Sequence, residues 1–144
     1  MSYIKIWIHA VWATKNRAPL MPEIMLKKIC DHIHYNCHEK GIILDKIGGH
    51  VDHLHALMRL KPEYSISKQM QLIKGESSSW VNKSGIMVPY FEWADKFFAT
   101  SVSHRAINRV RNYIAIQKEH HAKESFEMEQ NRFIKSLGFE EHDG

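Results

Sequence analysis

The sequence predicts one α+β domain of the split β-α-β type, with a four-stranded, mostly antiparallel sheet. A chain of 144 residues suits a single domain that buries its own core. Apolar residues recur at alternate positions in some segments and at helical spacing in others, in the order β-α-β-β-α-β-α. No apolar stretch approaches the roughly 20 residues that a membrane-spanning helix requires. We therefore expect a cytoplasmic protein with no membrane partner.

The first half of the chain is predicted to form a strand, a helix and a β-hairpin. Residues Tyr3–Trp12 are rich in Ile, Val and Trp and favour a strand. The next segment, Pro22–Gly41, begins with a proline suited to a first helical turn and ends at a glycine. Two apolar segments, Ile42–Ile47 and His53–Leu60, then flank the turn signal Gly48-Gly49 and indicate a hairpin.

The second half is predicted to add a helix, a strand and a longer helix. Either Ser65 or Ser67 can cap a helix that runs to about Asn82. Residues Trp93–Val102 favour the fourth strand. A basic helix is predicted over Ser103–Lys123, with Ser103 as its cap.

This order is that of a ferredoxin-like split β-α-β sandwich, with helices on one face of the sheet and one further C-terminal helix. We expect a single domain over residues 1–144, with its β-α-β-β-α-β core in residues 1–102 and the added helix in residues 103–123. The tail, residues 124–144, carries one more amphipathic segment at Phe126–Leu137. The sheet face away from the core helices must be covered or carry the function.

Two histidines on the predicted third strand are candidate metal ligands. Side chains alternate between the faces of a strand, so His53 and His55 share one face. Two imidazoles placed in this way can reach one ion, and Asp52 is a candidate further ligand or outer partner. The alternative is a pair of surface histidines. The other face of the strand carries an apolar row: Leu54, Ala56, Met58 and Leu60.

The last long helix brings a tyrosine and basic residues together. Positions four residues apart lie on one side of a helix. A tyrosine hydroxyl is a possible nucleophile for a phosphodiester, a glutamine oxygen one turn away is a possible third metal ligand, and arginines bind phosphates. The alternative is a solvated basic helix. The column contains Arg105, Arg109, Tyr113, Gln117 and His121, beside an apolar stripe of Ile107, Val110 and Ile114.

Taken together, His53-Leu54-His55 and Tyr113-x-x-x-Gln117 resemble the single-tyrosine HUH transposases of small bacterial insertion sequences, the IS200-like transposase family. HUH stands for His-hydrophobic-His. The resemblance covers nearly the whole chain, and further similar segments follow in the family's order: His9–Arg17, Ser65–Lys68, Lys74–Ser78 and Thr100–Ser103.

The resemblance implies a metal-dependent enzyme that nicks and rejoins single-stranded DNA at insertion-sequence ends. It implies that His53, His55 and Gln117 hold Mg²⁺ or Mn²⁺, and that Tyr113 attacks phosphorus to leave a 5′-phosphotyrosine and a free 3′-OH. No nucleotide cofactor is implied.

The implied partners are DNA hairpins near the ends of the element and a second copy of the chain. In such a homodimer the tyrosine helix commonly docks on the partner, and the protein would associate with the bacterial nucleoid when it acts. Candidate phosphate contacts are Lys15, Arg17, Lys74, Arg105, Arg109 and Arg111.

Three alternatives remain open at this point. A domesticated relative would nick repeated palindromes without moving an element, and a single-stranded nucleic-acid-binding module would use Tyr113 only for stacking. A small metallohydrolase would use His53, His55 and water.

The chain also departs from the family where Phe97-Phe98 replaces an expected glycine and aromatic residue. His9 is expected to pack in the sheet and not to bind metal.

Overall fold

The structure is a computed structural model, and it describes residues 1–87, 89–117 and 126–137. Within these residues it contains one four-stranded sheet in the order β2-β3-β1-β4, in which neighbouring strands are antiparallel. The predicted α+β fold with an antiparallel sheet is confirmed. The strands are β1 (Trp7–Thr14), β2 (Leu44–His50), β3 (His53–Arg59) and β4 (Trp93–Ser101).

Four helices accompany the sheet in the described part of the chain. Ser65, and not Ser67, caps the second helix, because its hydroxyl oxygen accepts a hydrogen bond from the Lys68 backbone N–H at 3.0 Å. Gly85 ends that helix in the left-handed conformation, with φ of 69°. The helices are α1 (Glu23–Glu39), α2 (Ile66–Ser84), α3 (Ile107–Ala115) and α4 (Phe126–Leu137).

The β2–β3 hairpin differs from the prediction, because Gly48 and Gly49 lie within β2 and not in its turn. The strands remain paired as far as His50 and His53, so the connection is residues 51–52. A Cβ at Gly49 would stand 2.1 Å from the His53 carbonyl oxygen. Glycine is therefore needed at this position for close approach of two backbones, and not for a turn.

The last predicted helix is also divided in the structure. A 3₁₀ turn at His104–Ala106 precedes α3, which ends at Ala115. The predicted positions from residue 118 to Lys123, including His121, lie outside the described residues.

The main core lies between one face of the sheet and helices α1 and α2. The apolar row of β3 points into this core, as its alternation predicts. Phe97 turns to the same face, while Trp12 and Trp93 pack together there in an edge-to-face arrangement. The fully buried members include Ala10, Trp12, Ile29, Leu54, Met58 and Met70.

The opposite face of the sheet is covered by α3. Ile107 and Ile114 pack with Trp7 and Leu57 in a second, smaller cluster, and Val110 lies at its edge. The predicted apolar stripe of this helix is therefore its sheet-facing side.

Two polar or steric features also hold α3 on the edge strand β2. Arg111 donates two hydrogen bonds to the Asp45 carboxylate, both at 2.7 Å. A Cβ at Gly48 would stand 3.1 Å from the Ile114 carbonyl oxygen, so the absence of a side chain lets the helix backbone come close. None of the helices in residues 1–87, 89–117 and 126–137 is long and apolar enough to cross a membrane.

Candidate active site

The structure places His53 and His55 on the face of β3 that is turned towards α3. Both side chains are fully buried, and their ring centroids are 5.2 Å apart. Ala13 and Val11 stand opposite them on β1. The pair is therefore enclosed by the protein and is not a surface pair.

Each of the two histidines has an outer hydrogen-bond partner. His53 Nδ1 is 2.8 Å from the Asp52 carboxylate oxygen Oδ1. His55 Nδ1 is 2.9 Å from Nε2 of His9, which lies on the adjacent strand β1. Of the two roles that the sequence left open for Asp52, the geometry fits the outer partner. His9 does more than pack in the sheet, because it contacts one of the candidate ligands.

The other nitrogen of each histidine is turned towards Glu129 of α4. Glu129 Oε1 lies 3.0 Å from His55 Nε2 and 3.8 Å from His53 Nε2, and its side chain is fully buried. One ligand atom from each of the three residues falls within 4.8 Å of the others. Ligand atoms held about 2.1 Å from one ion lie roughly 3–4 Å apart, so the three residues could hold a divalent cation once the widest of these separations shortens.

Sequence reasoning missed Glu129. It lies 74 residues beyond His55, in a tail rich in glutamate, and nothing in its local pattern distinguishes it from Glu124 or Glu127. Only the packing of α4 over the histidines identifies it.

Tyr113 joins the same cluster from α3. Its hydroxyl donates a short hydrogen bond to Glu129 Oε2 and accepts one from Arg132 Nη2 at 3.3 Å. The tyrosine ring stands edge-on to His55, with ring centroids 5.4 Å apart. The predicted nucleophile and two of the three predicted ligands, His53 and His55, thus meet at one carboxylate.

Gln117, the third predicted ligand, is fully buried one helical turn beyond Tyr113. Its amide Nε2 donates to the Tyr113 backbone carbonyl at 3.2 Å. The side chain also interacts with the tyrosine hydroxyl and opposes the rise in its pKa. Gln117 therefore lies beside the cluster.

Burial and the neighbouring Glu129 carboxylate raise the pKa of the Tyr113 phenol above its usual value of 10.0. Burial lowers the pKa of His55 to about 3, which keeps its imidazole neutral. Burial alone would raise the pKa of Glu129, but hydrogen bonds from His55 and Tyr113 outweigh it and lower that pKa to about 2. Near neutral pH the cluster therefore has an anionic carboxylate, neutral imidazole and protonated phenol.

The six candidate phosphate contacts do not form one surface. Arg105 and Arg109 are exposed on the segment that leads to Tyr113. Lys15 pairs with Glu92 at 3.0 Å. Arg111 is held by Asp45, and Lys74 donates to the Asp95 backbone carbonyl at 3.0 Å on the side of α2.

A cavity of about 370 Å³ lies beside the histidine pair, between β1, β4 and α4. Val11, which stands opposite His55, and Phe98, which stands opposite Val11, both line it. Arg17 also lines it, with a left-handed backbone at φ of 52°. Phe98 is therefore turned to the site face, whereas Phe97 packs in the core. A larger cavity of about 770 Å³ lies between α2 and β4, away from the histidines.

Comparisons with known proteins agree with this fold. A crystal structure of a protein assigned as a transposase from Deinococcus radiodurans R1 matches with a TM-score of 0.63 and 21% identity, over 81% of this chain and 93% of that chain. A REP-associated tyrosine transposase bound to a REP hairpin matches with a TM-score of 0.63 and 13% identity, over 100% of this chain and 91% of that chain. No curated protein matches the sequence. The family described as transposase IS200-like matches residues 2–117, and the chain belongs to this family.

Proposed function

We propose that the chain nicks and rejoins single-stranded DNA at insertion-sequence ends through a 5′-phosphotyrosine intermediate, in a metal-dependent reaction. One observation carries the proposal: the hydroxyl of Tyr113 and the ligand nitrogens of His53 and His55 converge on the buried carboxylate of Glu129. A nucleophile beside a cation site is what a phosphodiester transfer needs.

His53, His55 and Glu129 would hold the cation, with the amide oxygen of Gln117 as a further ligand. The mixture of neutral imidazole and oxygen ligands suits Mg²⁺ or Mn²⁺ better than a closed tetrahedral zinc site. When bound, the cation supplies positive charge that stabilises both the phenolate and the scissile phosphate.

Tyr113 is the nucleophile in this proposal. Its oxygen forms a bond to phosphorus as the bond from phosphorus to the 3′ oxygen breaks, and the phenolic proton leaves along the hydrogen bond to Glu129. The departing 3′ oxygen receives that proton and leaves as a free 3′-OH. A second DNA 3′-OH then attacks phosphorus and returns the tyrosine. The two transesterifications are balanced, so no nucleotide cofactor is required.

The DNA partner in this proposal is a single strand with a hairpin near the cleavage site. Arg105 and Arg109 are exposed before Tyr113, and Arg17 lies at the cavity beside the histidines. We propose that these three residues contact phosphates. We also propose a homodimer, as in the family that the sequence resembles.

The test is formation of a covalent protein–DNA adduct. The protein is incubated with labelled single-stranded DNA from the flanks of its own gene, with Mn²⁺ or with EDTA, and analysed on denaturing gels. We expect an adduct that requires Mn²⁺ and is lost in Tyr113→Phe and His55→Ala. The control Tyr90→Phe changes an exposed tyrosine in the larger cavity and should keep the adduct.

Other outcomes would overturn the proposal in different ways. Cleavage that survives Tyr113→Phe would show that water is the nucleophile, as in a metallohydrolase. Binding without cleavage across several flank-derived hairpins would favour a non-catalytic binding module.

A further inference from the structure

We propose that His9 is a positioning residue that exchanges hydrogen-bond donor and acceptor roles with His55, so that His55 can either contact Glu129 or ligate a cation. This inference rests on the proposed function, because it concerns the same cation site. It assigns to His9 a role that packing in the sheet does not require.

His55 makes two contacts at once in the structure. Its Nε2 lies 3.0 Å from Glu129 Oε1, and its Nδ1 lies 2.9 Å from His9 Nε2. An ionised carboxylate only accepts hydrogen bonds, so Nε2 of the neutral His55 ring carries the proton in this contact. Nδ1 then accepts, and His9 Nε2 is the donor.

Cation binding reverses this assignment. A histidine nitrogen that ligates a cation offers its lone pair, so Nε2 of His55 must give up its proton and Nδ1 must carry one. His9 Nε2 then becomes the acceptor. One proton leaves His55 Nε2, the shared proton passes from His9 to His55, and His9 Nδ1 takes one up. Both rings stay neutral throughout.

The position of His9 suits a relay of this kind. It lies in the middle of β1, where its Cα partners are Leu57 on β3 and Thr100 on β4, so the backbone is held on both sides. Its side chain is only 8% exposed, so water has little access to the contact. A neutral imidazole at position 9 can donate to His55 Nδ1 when that nitrogen is unprotonated, and accept from it when it carries the proton. A carboxylate at position 9 could only accept.

The first experiment measures Mn²⁺ affinity without DNA, by the electron paramagnetic resonance signal of free Mn²⁺. We expect His9→Phe to weaken binding by about 10- to 100-fold, the usual effect of removing an outer partner of a metal ligand. His9→Gln should restore most of the affinity, because an amide can present a donor or an acceptor. Thr100→Val, a neighbouring change on β4, should bind like the wild type.

The second experiment needs no variant, so it does not depend on any variant folding. Nitrogen NMR of the histidine rings in the full chain reports which nitrogen of His55 carries the proton. We expect the proton on Nε2 without Mg²⁺ and on Nδ1 with it, with the reverse change at His9. Unchanged tautomers on Mg²⁺ addition would overturn the inference, and so would wild-type Mn²⁺ affinity in His9→Phe.

Failure of this inference is distinguishable from failure of the proposed function. Loss of Mn²⁺ affinity in His9→Phe, together with a wild-type protein that forms no adduct, would support His9 and overturn the nuclease. An adduct-forming wild type with unaltered Mn²⁺ affinity in His9→Phe would do the reverse. A wild-type protein that binds no Mn²⁺ would overturn both.

Discussion

Glu129 connects the candidate nucleophile to the candidate metal ligands through its two oxygens. Oε1 faces His55 and His53, and Oε2 accepts from Tyr113. The same carboxylate thus disfavours ionisation of the tyrosine and is also the third member of the candidate cation site. Its effects on the two partners can be separated by removing its charge alone.

We expect Glu129→Gln to lower the pKa of Tyr113 part of the way towards its ordinary value. Burial is the larger cause of the raised pKa and remains in the variant, whereas the carboxylate charge is removed. The measurement is an ultraviolet titration of the phenolate, with the curve of Tyr113→Phe in each background subtracted. An unchanged tyrosine titration would show that Glu129 does not act on the phenol in solution.

Among the candidate site residues, the sequence predicts the proximity of those that lie within one strand or one helix. His53 and His55 share a face because a strand alternates, and Tyr113 and Gln117 share a side because a helix repeats. Glu129 and His9 could not be assigned in this way, because each meets His55 only after the chain has folded.

The docking of α3 on β2 depends on a missing side chain. A Cβ at Gly48 would approach the Ile114 carbonyl oxygen to 3.1 Å, and the branched side chain of valine would extend further. We expect Gly48→Val to displace α3 and to cost about 1–3 kcal/mol of unfolding free energy. Urea denaturation measures this change, and the adduct assay should show a loss of activity.

Gly75→Ala is the matched control for this glycine. Gly75 lies within α2, and a Cβ there would meet nothing within 4 Å. Alanine in an exposed helix interior should stabilise the protein by about 0.5–1 kcal/mol. A Gly48→Val protein as stable and active as the wild type would contradict the close docking of α3.

The ion pair between Asp45 and Arg111 should make the docking of α3 dependent on pH. The Arg111 hydrogen bonds hold the pKa of Asp45 below its ordinary value of 3.8. A carboxyl whose pKa is lower in the folded state stabilises the protein above its unfolded pKa, and this contribution is lost as the pH falls through the folded pKa.

We therefore expect wild type to be more stable than Asp45→Asn at pH 6, with the difference shrinking by pH 3. Urea denaturation of both proteins at the two pH values measures this. A difference that stays constant between them would show that the ion pair is not formed in solution.

The elements themselves were largely predictable, while their limits were not. Four strands and the helices follow from apolar periodicity and from caps such as Ser65. Gly48 and Gly49 resemble a turn in sequence, yet tertiary contacts with Ile114 and His53 place them in a strand. The start of α3 moved because a 3₁₀ turn precedes it.

For the whole molecule, cation binding should appear as added stability. A ligand that binds only the folded state raises its unfolding free energy by about 2.7 kcal/mol at 100 times its Kd. We expect Mn²⁺ to raise the Tm of the wild-type protein and EDTA to reverse the change. His55→Ala should show no such rise, and a Tm of the wild type that is unaffected by Mn²⁺ would contradict the candidate site.

Among the residues that the structure describes, the buried apolar cluster on one face of the sheet is much larger than that on the other. Helices α1 and α2 share the large core, whereas α3 rests on the small cluster of Trp7, Leu57, Ile107 and Ile114. Local opening of a protein follows the amount of apolar packing that must be broken. We expect backbone amides of α3 to exchange with deuterium sooner than those of β1 and β3, which mass spectrometry of peptic fragments measures. Equal protection would contradict this.

We expect the helix that carries Tyr113 to open as a unit separate from the sheet that carries His53 and His55. Detaching it breaks the small apolar cluster, the Asp45–Arg111 ion pair and the hydrogen bonds of Tyr113 with Glu129 and Arg132, and leaves the main core on the other face of the sheet intact. In the proposed homodimer, such opening would let the proposed nucleophile pass from one subunit to the other by sub-global unfolding, without either copy losing its native sheet.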